Sequence, residues 1–136
     1  MSIQWTDELL IGVSEIDSQH KELFSRFARL FTACGEGKGK EEVLRLLLFL
    51  QEYVKEHFAA EERLQMRHAY PDYAVHKGEH TRFMSDVERL ANEFKAEGAT
   101  LSLVIMTNKT LASWLLQHIK RTDMAFATYL RTQGAV

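Results

Sequence analysis

Hydrophobic residues recur along this chain at the three- and four-residue spacing of amphipathic helices. The first such stretch runs from about Asp17 to Ala33. It stops at a glycine-rich segment, residues 35–39, which predicts a loop. Its apolar stripe consists of Ile16, His20, Leu23, Phe27 and Leu30.

Two further stretches alternate steps of four and three residues, which is typical of helices that pack one face against their neighbours. The third stretch ends near Gly98, and the single proline, Pro71, precedes it at a position where a helix can begin. The second stripe consists of Val43, Leu47, Leu50, Val54, His57, Glu61 and Leu64, and the third consists of Tyr73, His76, His80, Phe83, Val87, Leu90 and Phe94.

A fourth helix is predicted to begin around Thr100, a residue type that favours the N-cap. Short connections between helices of similar length imply antiparallel neighbours. The pattern therefore predicts an all-α fold: an antiparallel up-down-up-down four-helix bundle, preceded by an N-terminal extended arm. The fourth stripe consists of Val104, Leu111, Leu115, His118 and Tyr129.

Length and composition indicate one domain over residues 1–136, since 136 residues with 46% hydrophobic side chains suffice for one core. A net charge of -2 without a basic block argues against a nucleic-acid partner. The longest apolar run, Leu46 to Leu50, is far below the roughly 20 residues that span a bilayer, so no membrane insertion is expected. No secretory signal is visible at the start, and a lone cysteine, Cys34, fits a reducing cytoplasm.

Charged and polar side chains occupy positions that the helical pattern assigns to the core. Burying unpaired carboxylates and imidazoles costs several kcal/mol unless something compensates them. A metal centre is the simplest compensation, and every helix contributes to it. The residues concerned are five of the six histidines and two acids: His20, His57, Glu61, His76, His80, His118 and Asp123.

The number and type of these side chains point to two transition-metal ions. Zinc takes four ligands in structural sites, whereas magnesium and calcium prefer oxygen. Five imidazoles and two carboxylates suit two irons if both carboxylates and one oxo or hydroxo group bridge them. This count leaves one iron a ligand short, and an open position on reduced iron is where dioxygen would bind.

The chain resembles a bacterial hemerythrin over nearly its full length. All seven metal-ligand positions of that family are matched in order. The segments that carry the resemblance are residues 5–12 and 16–21, His57-x-x-x-Glu61, His76-x-x-x-His80 and His118-x-x-x-x-Asp123.

The resemblance implies a role for each of these residues. His76, His80 and His118 would bind one iron, His20 and His57 would bind the other, and Glu61 and Asp123 would bridge them. Dioxygen would bind end-on at the iron held by His20 and His57. It would take two electrons from the irons and a proton from the bridging hydroxide to become hydroperoxide. Return of the electrons to the irons and of the proton to the bridge would release dioxygen, so binding would be reversible and would suit storage, transport or sensing.

An apolar wall is expected to favour binding over turnover, because a dry pocket disfavours the loss of charged oxygen species. The residues expected to line it are Leu115, Ile119, Trp114 and Phe58, and Trp114 fits core packing equally well. We therefore expect no enzymatic activity. Two alternatives stay open: a di-iron oxidase or peroxidase, and an oxygen or redox sensor domain that signals to a protein partner not identified by the sequence.

The spacing of His118 and Asp123 predicts an irregular helix. Five residues turn an α-helix by about 500°, which leaves the two side chains roughly 140° apart. A wider turn of the π type would bring them together.

The sequence also suggests roles for several residues outside the set of seven. Gln19 and Asp17 are candidates for contacts that support the ligands. Glu62 is expected on a solvated face and His68 at a helix end. The methionines at positions 66, 84, 106 and 124 are expected to fill the core.

Overall fold

The structure, a computed structural model, describes residues 4–136, which contain helices and no strand. After a short 3₁₀ turn at Asp7–Leu9 come α1 (Ser14–Gly35), α2 (Gly39–Arg67) and α3 (Tyr73–Glu97). A fourth helix, α4, follows over residues 101–132. The predicted all-helical fold with four helices is thus confirmed. Residues 1–3, at the start of the predicted N-terminal arm, lie outside the described residues.

The fourth helix contains two π-helical segments. Regular α-helical segments at Leu101–Thr107, Ser113–Gln117 and Met124–Thr132 alternate with π-helical segments at Asn108–Ala112 and His118–Asp123. The second π segment has the position that the spacing of His118 and Asp123 predicts. The first has no counterpart among the sequence predictions.

The entry to α1 is fixed by Asp17 in its first turn. The carboxylate of Asp17 accepts hydrogen bonds from the backbone N–H groups of Ile11 at 2.8 Å and Gly12 at 3.1 Å. Gly12 has a φ of +93°, a conformation that other residues rarely adopt. These bonds hold the incoming chain against the helix, and α1 accordingly begins at Ser14, earlier than the predicted Asp17.

The glycine-rich connection brings α1 and α2 into close approach. Helix α1 ends at Gly35 and α2 begins at Gly39, which confirms the predicted loop. A Cβ atom at Gly39 would lie 2.8 Å from Cys34 Sγ, so a larger residue would force the Cys34 side chain to move.

Apolar packing separates into one main cluster and two small ones. On α1 the main cluster follows His20 and a small cluster precedes it, whereas on α4 the main cluster precedes Asp123 and the small clusters follow it. The expectation that all four methionines fill the core is wrong for Met66 and Met106, which are exposed. Fully buried members of the main cluster include Phe27, Leu30, Leu47, Leu50, Phe83, Leu90 and Leu111.

Within residues 4–136, none of the helices has the length and apolar character needed to cross a membrane.

The predicted N-cap of α4 provides a test of the local folding argument. Thr100 Oγ1 accepts a hydrogen bond from the backbone N–H of Leu103 at 3.1 Å. We expect Thr100→Ala to lower the free energy of unfolding by about 1 kcal/mol. Urea denaturation measures this, with Thr81→Ala as control because the exposed Thr81 hydroxyl bonds only within its own helix. Equal losses in both variants would contradict the capping role.

Candidate metal centre

All seven predicted ligand residues are buried and meet between the four helices. His20 comes from α1, His57 and Glu61 from α2, His76 and His80 from α3, and His118 and Asp123 from α4. Their side chains form two groups able to hold a metal ion, with ligand atoms within 4.8 Å of one another. The larger group is Glu61, His76, His80, His118 and Asp123, and the smaller is His20, His57 and Glu61.

One oxygen of each carboxylate lies near two imidazoles, and these contacts involve three histidines in all. Glu61 Oε1 lies 2.6 Å from His76 Nε2 and 3.5 Å from His80 Nε2. Asp123 Oδ1 lies 3.0 Å from His76 Nε2 and 3.2 Å from His118 Nε2. Three ring nitrogens and two carboxylate oxygens therefore face a common point.

The other oxygen of Glu61 approaches both remaining imidazoles, and the other oxygen of Asp123 approaches one of them. Glu61 Oε2 lies 3.3 Å from His57 Nε2 and 3.7 Å from His20 Nε2. Asp123 Oδ2 lies 3.1 Å from His20 Nε2. Each carboxylate thus has one oxygen in either half of the cluster, which is the arrangement that a bridging ligand needs.

These close approaches are not hydrogen bonds. Both oxygens of Glu61 and of Asp123 are buried without a hydrogen-bond partner, and so is Nε2 of four histidines, His20, His76, His80 and His118. Buried polar atoms in proteins are nearly always satisfied, and leaving them unpaired costs free energy. A metal ion accepts lone pairs from all of them at once, so the residues present fit a metal centre.

The electrostatics of the cluster without a metal favour positive charge between the carboxylates. Burial lowers the pKa of His57 to about 3. Burial also acts against His20 and His76, but their contacts with Asp123 and Glu61 outweigh it and raise the pKa of His20 to about 9 and that of His76 to about 10. Burial raises the pKa of both carboxyl groups, yet the neighbouring histidines hold them well below their usual range. Both acids stay ionised, as metal ligands must be.

Two outer carboxylates fix the rings of His80 and His118. His80 Nδ1 donates to Glu62 Oε2 at 2.8 Å, and His118 Nδ1 donates to Glu79 Oε1 at 3.0 Å. An ionised carboxylate only accepts, so the ring proton is on Nδ1 and the Nε2 lone pair faces the cluster. The expectation that Glu62 lies on a solvated face is wrong, because its carboxylate bonds to a ligand.

Two amide side chains occupy the corresponding places at His57 and His76. His57 Nδ1 donates to Gln19 Oε1 at 2.7 Å, which confirms Gln19 as a supporting residue. Gln65, fully buried, has Nε2 placed 2.8 Å from His76 Nδ1 and Oε1 without a partner. A half-turn of this amide would let Oε1 accept from Nδ1 and free the ring's Nε2 for a metal.

Sequence reasoning missed Gln65 and Glu79 and misplaced Asp17. The signal available was position alone: Gln65 lies one helical turn after Glu61, and Glu79 directly precedes His80. Asp17 supports the backbone before α1 rather than a ligand. Of the five clustered histidines, His20 has an Nδ1 atom that is buried and without a hydrogen-bond partner.

Aromatic rings pack directly on the half of the cluster that has three histidines. Phe58 stacks on His80 with ring centroids 3.8 Å apart, and Trp114 stacks on His118 at 4.4 Å. Leu115 and Ile119 are buried in the same apolar cluster as Phe58. The four residues expected to form an apolar wall are therefore packed around the ligands or in the core beside them.

His68 lies outside the cluster, as expected. It follows the last residue of α2, and its carbonyl oxygen accepts a hydrogen bond from the Tyr129 hydroxyl. Its role in the structure is to tie the end of α2 to α4.

Comparison with known proteins identifies the family. The model of the hemerythrin HHE cation binding domain matches residues 11–130. Over 127 residues the chain is 32% identical to a bacteriohemerythrin of Stenotrophomonas maltophilia, and the matched region covers 93% of this chain and 80% of that protein. It is 30% identical to a bacteriohemerythrin of Methylococcus capsulatus, over 93% of this chain and 95% of that one. A hemerythrin-like protein of Naegleria gruberi is 30% identical over 122 residues, 90% of this chain and 88% of that one. The chain belongs to the hemerythrin family.

Proposed function

We propose that this chain binds dioxygen reversibly at a pair of non-heme irons and serves oxygen storage, transport or sensing. The observation that carries the proposal is the division of each carboxylate between two groups of imidazoles. Membership of the hemerythrin family supports iron as the metal and dioxygen as the ligand. The proposed ligands are His76, His80 and His118 for one iron, His20 and His57 for the other, and Glu61, Asp123 and an oxo or hydroxo group as bridges.

Bound ferrous iron would supply the electrons and the open coordination position that oxygen binding needs. The protein supplies orientation and the exclusion of water. Glu62 and Glu79 hold the His80 and His118 rings with their Nε2 atoms towards the cluster. The proposed oxygen pocket is lined by Leu115, Ile119, Trp114 and Phe58, and such an apolar lining disfavours the escape of charged oxygen species.

Reversible binding is favoured over a di-iron oxidase or peroxidase by the ligand set. Ferritin-like di-iron sites are built mostly from carboxylates in Glu-x-x-His pairs. Here the cluster contains five imidazoles and only two carboxylates, and aromatic side chains cover the rings of His80 and His118. We therefore propose a binding protein rather than an enzyme.

We also propose one hemerythrin-like domain over residues 1–136, with up-down-up-down helices, an N-terminal extended arm and a cytoplasmic location. In the arm, Trp5 packs edge-on against Phe24 at 5.6 Å.

Contacts between neighbouring helices support the proposed topology. In each pair of helices, the later a residue lies in the first helix, the earlier its partner lies in the second, as in antiparallel neighbours. The contacting residues are Gln19 with His57 and Arg26 with Phe49 between α1 and α2, Gln51 with Glu88 and Glu62 with His80 between α2 and α3, and Phe83 with Trp114 and Glu79 with Thr122 between α3 and α4.

Metal content and oxygen binding are the first test. We expect elemental analysis of the iron-loaded chain to give two irons per chain. Under anaerobic conditions the reduced protein should be nearly colourless. Air should add a visible charge-transfer band that argon removes over repeated cycles. A single zinc with no iron after such loading, or a band that never reverses, would contradict the proposal.

Stability should depend on metal occupancy, because the iron-free core keeps buried polar atoms without partners. Free ferrous iron at a hundred times its Kd should stabilise the fold by about 2.7 kcal/mol. Calorimetry under argon measures the shift in Tm. His57→Gln should reduce it, whereas His68→Gln, a control outside the cluster, should not. An unchanged Tm on iron loading of the unmodified chain would refute a buried metal centre.

The apolar wall can be tested at Leu115, which is buried one turn before Ile119. We expect Leu115→Ser to retain two irons but to shorten the lifetime of the oxygen-dependent absorption band about tenfold, equivalent to roughly 1.4 kcal/mol of barrier. The physical reason is that a hydroxyl and water would enter a dry pocket. Stopped-flow decay measures the lifetime, and Leu115→Ala separates the hydroxyl from the lost volume. Equal lifetimes for Leu115→Ser and the unmodified chain would show that Leu115 is only a core residue.

A further inference from the structure

Glu79 of α3 holds both ends of the π segment that contains His118 and Asp123. His118, the first residue of the segment, donates from Nδ1 to Glu79 Oε1 at 3.0 Å. Thr122, the residue before Asp123, donates from Oγ1 to Glu79 Oε1 at 2.9 Å and to Oε2 at 3.2 Å. A single carboxylate on the neighbouring helix thus spans the wide turn.

The hydroxyl of Thr122 is used differently from those of Thr81 and Thr128. Thr81 and Thr128 donate to the carbonyl oxygens of Lys77 and Met124, each four residues earlier in the same helix. That bond is the usual one for a helical threonine. Thr122 bonds to α3 instead, so its hydroxyl ties α4 to a neighbour.

The wide turn is what lets two ligand residues face one centre. A regular helix would leave His118 and Asp123 roughly 140° apart. In the structure, His118 Nε2 lies 3.2 Å from Asp123 Oδ1. Isolated π turns are rare, and the helix itself offers little to stabilise them. Contacts from outside the helix are therefore the natural source of that stability.

We propose that Glu79 is a positioning residue that clamps this π segment and thereby directs His118 and Asp123 at the same metal. Its bond to His118 fixes the ring, and its bonds to Thr122 fix the turn that precedes Asp123. The effect on a metal rests on the proposed function, whereas the effect on the turn belongs to the iron-free fold as well. Glu79 directly precedes His80, so the clamp also joins the two helices that supply the half of the cluster with three histidines.

The first arm of the test measures backbone amide hydrogen exchange over residues 118–123 in the iron-free chain. We expect Glu79→Ala and Thr122→Val each to speed exchange about fivefold, the equivalent of a net hydrogen bond. Thr122→Val should add nothing in the Glu79→Ala background, because its partner is already gone. Glu88→Ala and Thr128→Val are the matched controls on α3 and α4 and should leave these amides unchanged.

The second arm uses the iron-loaded chain. We expect Glu79→Ala to speed the removal of one iron by a chelator roughly 10- to 100-fold, as loss of a residue behind a metal ligand typically does. Glu79→Gln keeps an acceptor for His118 and should restore most of this loss. The Mössbauer spectrum should show one iron doublet shifted in Glu79→Ala and the other unchanged, which a general loss of stability would not produce.

Unchanged exchange at residues 118–123 in Glu79→Ala, or equal effects of Glu79→Ala and Glu88→Ala, would overturn the clamp. Two shifted doublets, or none, would overturn its action on a single iron. If the unmodified chain bound no iron pair, the proposed function would fail, and the exchange measurements would still decide the role of Glu79 in the turn.

Discussion

The structure depends on one electrostatic constraint: two carboxylates are buried at the centre of a bundle among five imidazoles. Each carboxylate has one oxygen in the half of the cluster with three histidines and the other oxygen in the half with two. Such charges are tolerated in an interior only when cations or hydrogen bonds compensate them. Here the carboxylate oxygens lie 2.6 to 3.7 Å from the Nε2 atoms, but these contacts do not have the geometry of hydrogen bonds. The cluster is therefore arranged for positive charge placed between the ligands, and the apolar clusters on both sides keep water away.

The outer residues follow from the same constraint. A neutral imidazole binds a metal through Nε2 only if its proton is on Nδ1, and an acceptor behind the ring favours that tautomer. Glu62, Glu79 and Gln19 supply acceptors for three rings, and each reaches its partner from a neighbouring helix. Charged acceptors serve two of the three histidines in the larger half, whereas His57 has an amide and His20 Nδ1 has no hydrogen-bond partner. The two halves would therefore differ in the electron donation that they offer to bound metals.

Much of the fold could be predicted from the sequence because the three- and four-residue spacing of apolar residues indicates the helices directly. The apolar stripes that contain Ile16 and Phe83 predicted helices, and Thr100 predicted the start of the fourth helix. The five-residue step from His118 to Asp123 predicted a π turn because both side chains have to face one centre. The π segment at Asn108–Ala112 was not predictable in this way, since it carries no pair of ligands with a conflicting spacing. Gln65, Glu62 and Glu79 were missed or misplaced because a contact between helices depends on tertiary packing that helical periodicity does not contain.

Anomalous diffraction at the iron edge from crystals of the iron-loaded chain would test the bridged pair most directly. The account predicts two peaks about 3.5 to 4 Å apart, the usual separation in two-metal sites. One peak should lie among the Nε2 atoms of His76, His80 and His118, and the other beside those of His20 and His57, with Glu61 and Asp123 between them. A single peak, or two peaks not joined by these carboxylates, would contradict it.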